Sequence, residues 1–172
     1  AARRSAVKAR TAAGNQINSL LVMAPDPIRA KFRGLTTEQR VSALHRCRGF
    51  YADPIIADTM LALTMLAERH RDLGRQITTL TARIDPLVTT LNPALRAAFG
   101  VGPDVAAQLL ITAGNNSDRL VSEASFAALC GVAPVPASSG KTRRYRLSRG
   151  GDRRANHAVH TIALVRMSHD PT

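Results

Sequence analysis

The run Val132-Ala-Pro-Val-Pro-Ala-Ser-Ser-Gly-Lys-Thr-Arg-Arg-Tyr-Arg-Leu-Ser-Arg-Gly-Gly-Asp-Arg-Arg154 places two small hydroxyls, Ser138 and Ser139, ahead of a dense series of cations. From Ser138 to Arg154, Lys141, Arg143, Arg144, Arg146, Arg149, Arg153 and Arg154 stand against Asp152 alone, a net of +6 and half of the chain's +12. Cations so concentrated fit the phosphates of a nucleic-acid backbone, DNA in the first place. Tyr145, set among them, can stack on a base or pack on a sugar. The serines admit two roles. They can donate hydrogen bonds to phosphate, or one can attack it, since cations around a phosphate make it more electrophilic and so help a weak hydroxyl nucleophile. His157 and His160 are the nearest bases in sequence. There is no GxSxG elbow, so acyl hydrolysis is not expected. His157-x-x-His160 has no evident third ligand, and no metal is expected on it.

The remaining elements must hold this stretch in place. The chain has 172 residues, 45% of them apolar but only 3% aromatic, with no Trp. That is enough for one ordinary domain, or a small domain with an extended element, built from Ala, Leu, Val and Ile. Such a composition favours helix packed on helix, so the expected fold is all-α. The excess of 24 Lys and Arg over 12 Asp and Glu points to a polyanion as partner. No apolar run of about 18 residues is present to span a bilayer, and no basic amphipathic segment carries aromatic anchors, so no membrane partner is expected. Cys47 and Cys130 form no CxxC and read as reduced thiols of a cytoplasmic protein.

Residues 1–24 read as a helix ended by Pro25 and Pro27. Thr36 or Thr37 caps a second helix, on which Val41, Leu44 and Cys47 share a face. Leu66, Leu73, Leu80 and Leu87 then recur every seven residues beside Leu63, Ile77, Ile84 and Leu91, a seam interrupted by His70. The seam fits a helical hairpin, an intermolecular coiled coil joining copies of the chain, or one long core helix. Asp85-Pro86 and Asn92-Pro93 each set a capping residue before a Pro, which predicts a break and restart at both. Phe99-Gly-Val-Gly-Pro ahead of Ala106 and Leu109 has the pattern of a helix-hairpin-helix, in which Gly100 and Gly102 free backbone N–H groups for a phosphate; the same pattern also serves as a plain helix connector. Ser122 caps a short helix ending at Gly131, and Asp152 caps a last helix whose face is Ala155, Val159, Ile162 and Val165.

Gly100-Val-Gly-Pro, Phe126-Ala-Ala-Leu-Cys-Gly-Val-Ala-Pro, Ser138-Ser-Gly-Lys141, Arg149-Gly-Gly-Asp-Arg153 and Asn156-His, in this order, resemble the C-terminal transposase domain of the Piv-like insertion-sequence transposases, also called bridge-RNA-guided recombinases. The resemblance spans about residues 95–170, and the helical region before it resembles that family's coiled-coil linker. It implies a linker over 1–94 and a transposase C-terminal domain over 95–172. It further implies that a serine of a Ser-(small)-Gly-Lys word joins covalently to DNA, which maps onto Ser138 with Ser139 as second choice. Magnesium would be bound by four acids of an N-terminal RuvC-like domain, which this chain lacks. The expected chain is therefore part of a transposase, with no cofactor of its own, a possible guide RNA, and no recombination unaided.

Overall fold

The computed structural model describes residues 1–115, 117–146 and 148–169, whose regular elements are helices apart from one short two-stranded ribbon. The chain divides into two compact units, Ala1–Leu80 and Thr81–Thr172. The division falls inside the longest helix.

The first unit contains α1 (Ala2–Met23), α2 (Asp26–Lys31), α3 (Thr37–Arg46) and the start of α4 (Pro54–Leu91). Pro25 ends α1 as expected, but Pro27 does not prolong the break. It lies in the first turn of α2, where a ring without an N–H costs no hydrogen bond. Thr36 caps α3 in a reciprocal capping box with Gln39. Arg10 lies against Gly74 and Gly14 against His70, so α1 and α4 run antiparallel. Between them Ile17, Phe32, Leu44 and Leu63 are completely buried, each worth about 1.5–3 kcal/mol of burial. His70, the irregularity in the leucine seam, is also buried, beside Glu38 and Arg10. Leu66, Leu73, Ile77 and Leu80 are half-buried.

The second unit holds the end of α4, then α5 (Pro93–Ala97), α6 (Pro103–Ala113), a 3₁₀ turn (Ser117–Arg119), α7 (Glu123–Leu129), β1 (Val135–Pro136), β2 (Tyr145–Arg146) and α8 (Arg153–His169). The break expected at Asp85-Pro86 does not occur: α4 runs through Pro86 to Leu91. Asp85 spends its carboxylate on Arg96, 2.6 Å away, instead of capping. Ile84 and Val88, on either side of the proline, pack with Val101 and Ala106, which holds the helix despite one lost backbone bond. The restart at Asn92 does occur, with its side chain accepting the N–H of Leu95. α6 packs along α8, and buried Ala106, Ala155 and Ala158 permit the close approach. Leu109 and Cys130 complete that core. Among the described residues no helix is long and apolar enough to cross a membrane.

Candidate functional site

The serine and arginine stretch is a β-hairpin. Val135 pairs with Arg146 and Pro136 with Tyr145, and nearer the tip a separate bridge joins Ser139 and Thr142 in the same register. Ser139 and Thr142 exchange both backbone bonds, at 3.3 and 3.2 Å, around the two-residue tip Gly140-Lys141. Gly140 has φ +57°, the left-handed value that the first tip residue of a type II′ hairpin needs. Gly-x between Val135 and Tyr145 was the signal for this turn in the sequence. Both pairings share one register, and strand alternation carried through it assigns Arg144 and Arg146 to one face of the ribbon and Arg143 and Tyr145 to the other, although the Arg144 N–H leaves the ladder for Ser138 Oγ. The cations are therefore gathered on one hairpin but shared between its two faces. Every residue from Pro136 to Arg146 is exposed.

The root of the hairpin is clamped by glycine. Gly131 (φ +66°) ends α7 and Gly151 (φ +83°) precedes α8, and their backbones touch. A Cβ on Gly151 would lie 2.5 Å from the Gly131 nitrogen, and one on Gly131 only 2.4 Å from the Gly150 oxygen. Across this contact the Asp152 N–H donates to the Leu129 carbonyl at 2.8 Å, and Asn156 Nδ2 donates to the Gly131 carbonyl at 3.1 Å. The words Leu129-Cys-Gly131 and Gly150-Gly-Asp152 thus form one clasp that returns the chain to α8 after the ribbon.

Asp152 caps α8 by accepting the Arg154 N–H at 2.7 Å, and it also accepts the Thr112 hydroxyl at 2.6 Å. The Thr112 bond, with the Arg154 N–H next, holds its carboxyl below the usual carboxylate range. Thr112 is forty residues away in sequence, and no spacing pattern marks it as a partner. Arg153 and Arg154 occupy the first turn of α8, which has no acidic residue. Cations there oppose the helix dipole, which the capping Asp152 carboxylate already faces. Arg149 is exposed between ribbon and clasp.

Ser138 Oγ is exposed and accepts the Arg144 backbone N–H at 3.3 Å, while its own hydroxyl points to the Arg144 carbonyl at 3.5 Å. Its cross-strand neighbour is Arg143, one register step from the Ser139–Thr142 bridge. Ser139, the alternative, lies in the ladder beside the tip with its backbone already paired. Among the described residues, no hydrogen bond joins His157 or His160 to either serine; His157 offers its carbonyl to Thr161.

At the other end of the unit, Gly100 (φ +78°) makes the turn between α5 and α6 and lies against Ile162, Val165 and Arg166 of α8. Arg166 Nε fixes that turn by donating to the Phe99 carbonyl at 3.1 Å. Gly102 is the N-cap of α6 and has open space around its Cα. The first turn of α6 contains Asp104 and Pro103, so the dipole there already faces a carboxylate and has one N–H fewer. No three His, Cys, Asp or Glu side chains among the described residues come together to hold a metal.

The stretch that carries the hairpin and the clasp has known relatives. Residues 92–172 match the family described as "Transposase IS116/IS110/IS902 family". The "Insertion element IS110 uncharacterized 43.6 kDa protein" of Streptomyces coelicolor is 32% identical over 120 residues, which take in 69% of this chain and 28% of that protein. The chain therefore spans little more than a quarter of the length of this curated relative, at 28%. No solved structure matches. Ribbon, clasp and α8 all fall within the matched residues, and through them the chain belongs to the IS116/IS110/IS902 family of insertion-element transposases.

Proposed function

We propose that this chain is the DNA-holding part of an insertion-element transposase, in which the cationic ribbon and the start of α8 grip the phosphodiester backbone and Ser138 attacks it. The observation that carries the reading is the exposed Ser138 hydroxyl on a ribbon that also carries Lys141, Arg143, Arg144 and Arg146. In the step, Ser138 Oγ forms a bond to phosphorus and the bond from phosphorus to a deoxyribose oxygen breaks. That oxygen takes up a proton as the serine hydroxyl gives one up. The Arg144 N–H on Oγ favours the developing alkoxide, and the arginines stabilise charge on the phosphate oxygens. Gly100 and Gly102 enter as the turn that shapes the start of α6, in the manner of a helix-hairpin-helix. A second copy docking along the leucine seam of α4, where Leu87 and Leu91 are 65% and 74% exposed, and a guide RNA belong to the same reading.

The test is strand exchange by a transposase that contains this chain. Ser138→Ala abolishes exchange and the covalent protein–DNA adduct, whereas Ser139→Ala leaves both. Exchange surviving Ser138→Ala refutes the assignment. A second reading, a DNA-binding and oligomerisation module without chemistry of its own, is favoured by the absence of a side-chain base on Ser138 among the described residues. It predicts DNA binding of equal strength in Ser138→Ala and no adduct from either form.

A further inference from the structure

The ribbon makes no use of the protein core. Every residue from Pro136 to Arg146 is exposed, and a two-stranded hairpin without an apolar face to bury is marginal in water. Ordering it is repaid when something packs against it. Its charge says what, and its shape says where. A ribbon that lies flat on a phosphate backbone needs cations on one face. This one has Arg144 and Arg146 on one face and Arg143 on the other, with Lys141 at the tip.

We infer that the hairpin enters the major groove of duplex DNA tip first, each face turned to one of the two phosphate-lined walls. The inference rests on the DNA-binding reading above and deepens it by naming the form of DNA and the groove. A single sheet with side chains on both faces is about 10 Å thick, which fits a major groove about 12 Å wide and not a minor groove about 6 Å wide. From Pro136 to Gly140 the strand rises about 14 Å, more than the groove's depth of about 8.5 Å. The tip reaches the floor with Gly140, which has nothing within 4 Å of its Cα substituent position, and with Lys141, a donor for guanine O6 and N7. The walls then meet Arg143 on one side and Arg144 and Arg146 on the other. Duplex RNA offers no such slot, because its major groove is too deep and narrow for side chains to enter.

The experiment is fluorescence anisotropy of the full chain on a 25-base-pair duplex in about 0.1 M salt, for wild type, Arg143→Ala and Arg144→Ala/Arg146→Ala. Counterion release gives about eightfold per lost phosphate contact at that salt. Arg143→Ala is expected to weaken binding about eightfold and the double variant about 60-fold. Methyl green, a major-groove ligand, is expected to compete, whereas distamycin, a minor-groove ligand, is not. All three substitutions sit on exposed positions away from the core, and unchanged circular dichroism confirms the fold. Should either face prove silent, should distamycin compete instead of methyl green, or should duplex RNA bind as tightly, the groove assignment is overturned while DNA binding stands. If the wild type binds no duplex DNA at all, the DNA-binding reading itself falls.

Discussion

Gly151→Ala perturbs the clasp at its tightest point. The new Cβ would stand 2.5 Å from the Gly131 nitrogen, 2.7 Å from the Leu129 oxygen and 2.8 Å from the Gly131 Cα, all of it backbone that cannot swing aside. The left-handed φ of +83° adds about 1–2 kcal/mol for any side-chain-bearing residue. Relief of the overlap costs about 1–3 kcal/mol, and the stretched Asp152 to Leu129 bond about 0.5–1.5 kcal/mol more. The total is about 2.5–6.5 kcal/mol, or a fall in Tm of about 5–25 °C for a chain of this size. Thermal unfolding, and urea unfolding at about 25 °C, both followed by circular dichroism, read it directly. Gly140→Ala is the control: its φ is also positive, but nothing surrounds it, so it should cost about 1–2 kcal/mol and only within the ribbon. A Gly151→Ala protein that melts within about 2 °C of Gly140→Ala would refute the clasp.

His70 is buried, and burial and then Arg10 push its pKa below the ordinary 6.5, against a smaller upward pull from Glu38. Its neutral form is therefore the folded one, so stability is full above pH 6.5 and declines as pH falls below it; Tm measured from pH 7.5 to 5 should drop in wild type and drop less in His70→Leu. Burial, with Asp152 adding to it, raises the pKa of the Cys130 thiol. Iodoacetamide should therefore alkylate half-buried Cys47 well before Cys130 in the native protein, as peptide mass mapping will show. Leu63→Ala removes a completely buried side chain from the first unit and should cost about 2–5 kcal/mol in urea unfolding, with DNA affinity unchanged once the protein is folded.

The helices were legible because their signals are local. The Thr36 capping box, the Ser122 cap, Asn92 before Pro93 and the Asp152 cap all stand where their residue types put them. The failure at Pro86 has a tertiary cause: Arg96, eleven residues on, claims the Asp85 carboxylate, and Val88 anchors the next turn. The hairpin was hidden by its composition, since Pro136 and the four cations Lys141, Arg143, Arg144 and Arg146 give no apolar alternation and only the Gly140-Lys141 tip betrays the turn. At the candidate site, the concentration of charge and the exposed serine could be read directly. The partition of the arginines between two faces could not, because it depends on register. Gly131 was legible as a helix end but its contact with Gly151 was not, since a backbone contact between residues 131 and 151 leaves no periodic trace.

On the function proposed above, the stretch from Ser138 to Arg154 holds DNA through its phosphates. The most direct test is the salt dependence of duplex DNA binding by wild type and by a variant with Arg143, Arg144, Arg146, Arg153 and Arg154 changed to Ala. At about 0.9 per phosphate, the slope of log affinity against log salt should become shallower by about 4.5. Changing exposed Arg33, Arg46 and Arg71 of the first unit should leave it unaltered. A slope that stays at the wild-type value in the five-arginine variant, or falls as much in the control, would contradict the claim.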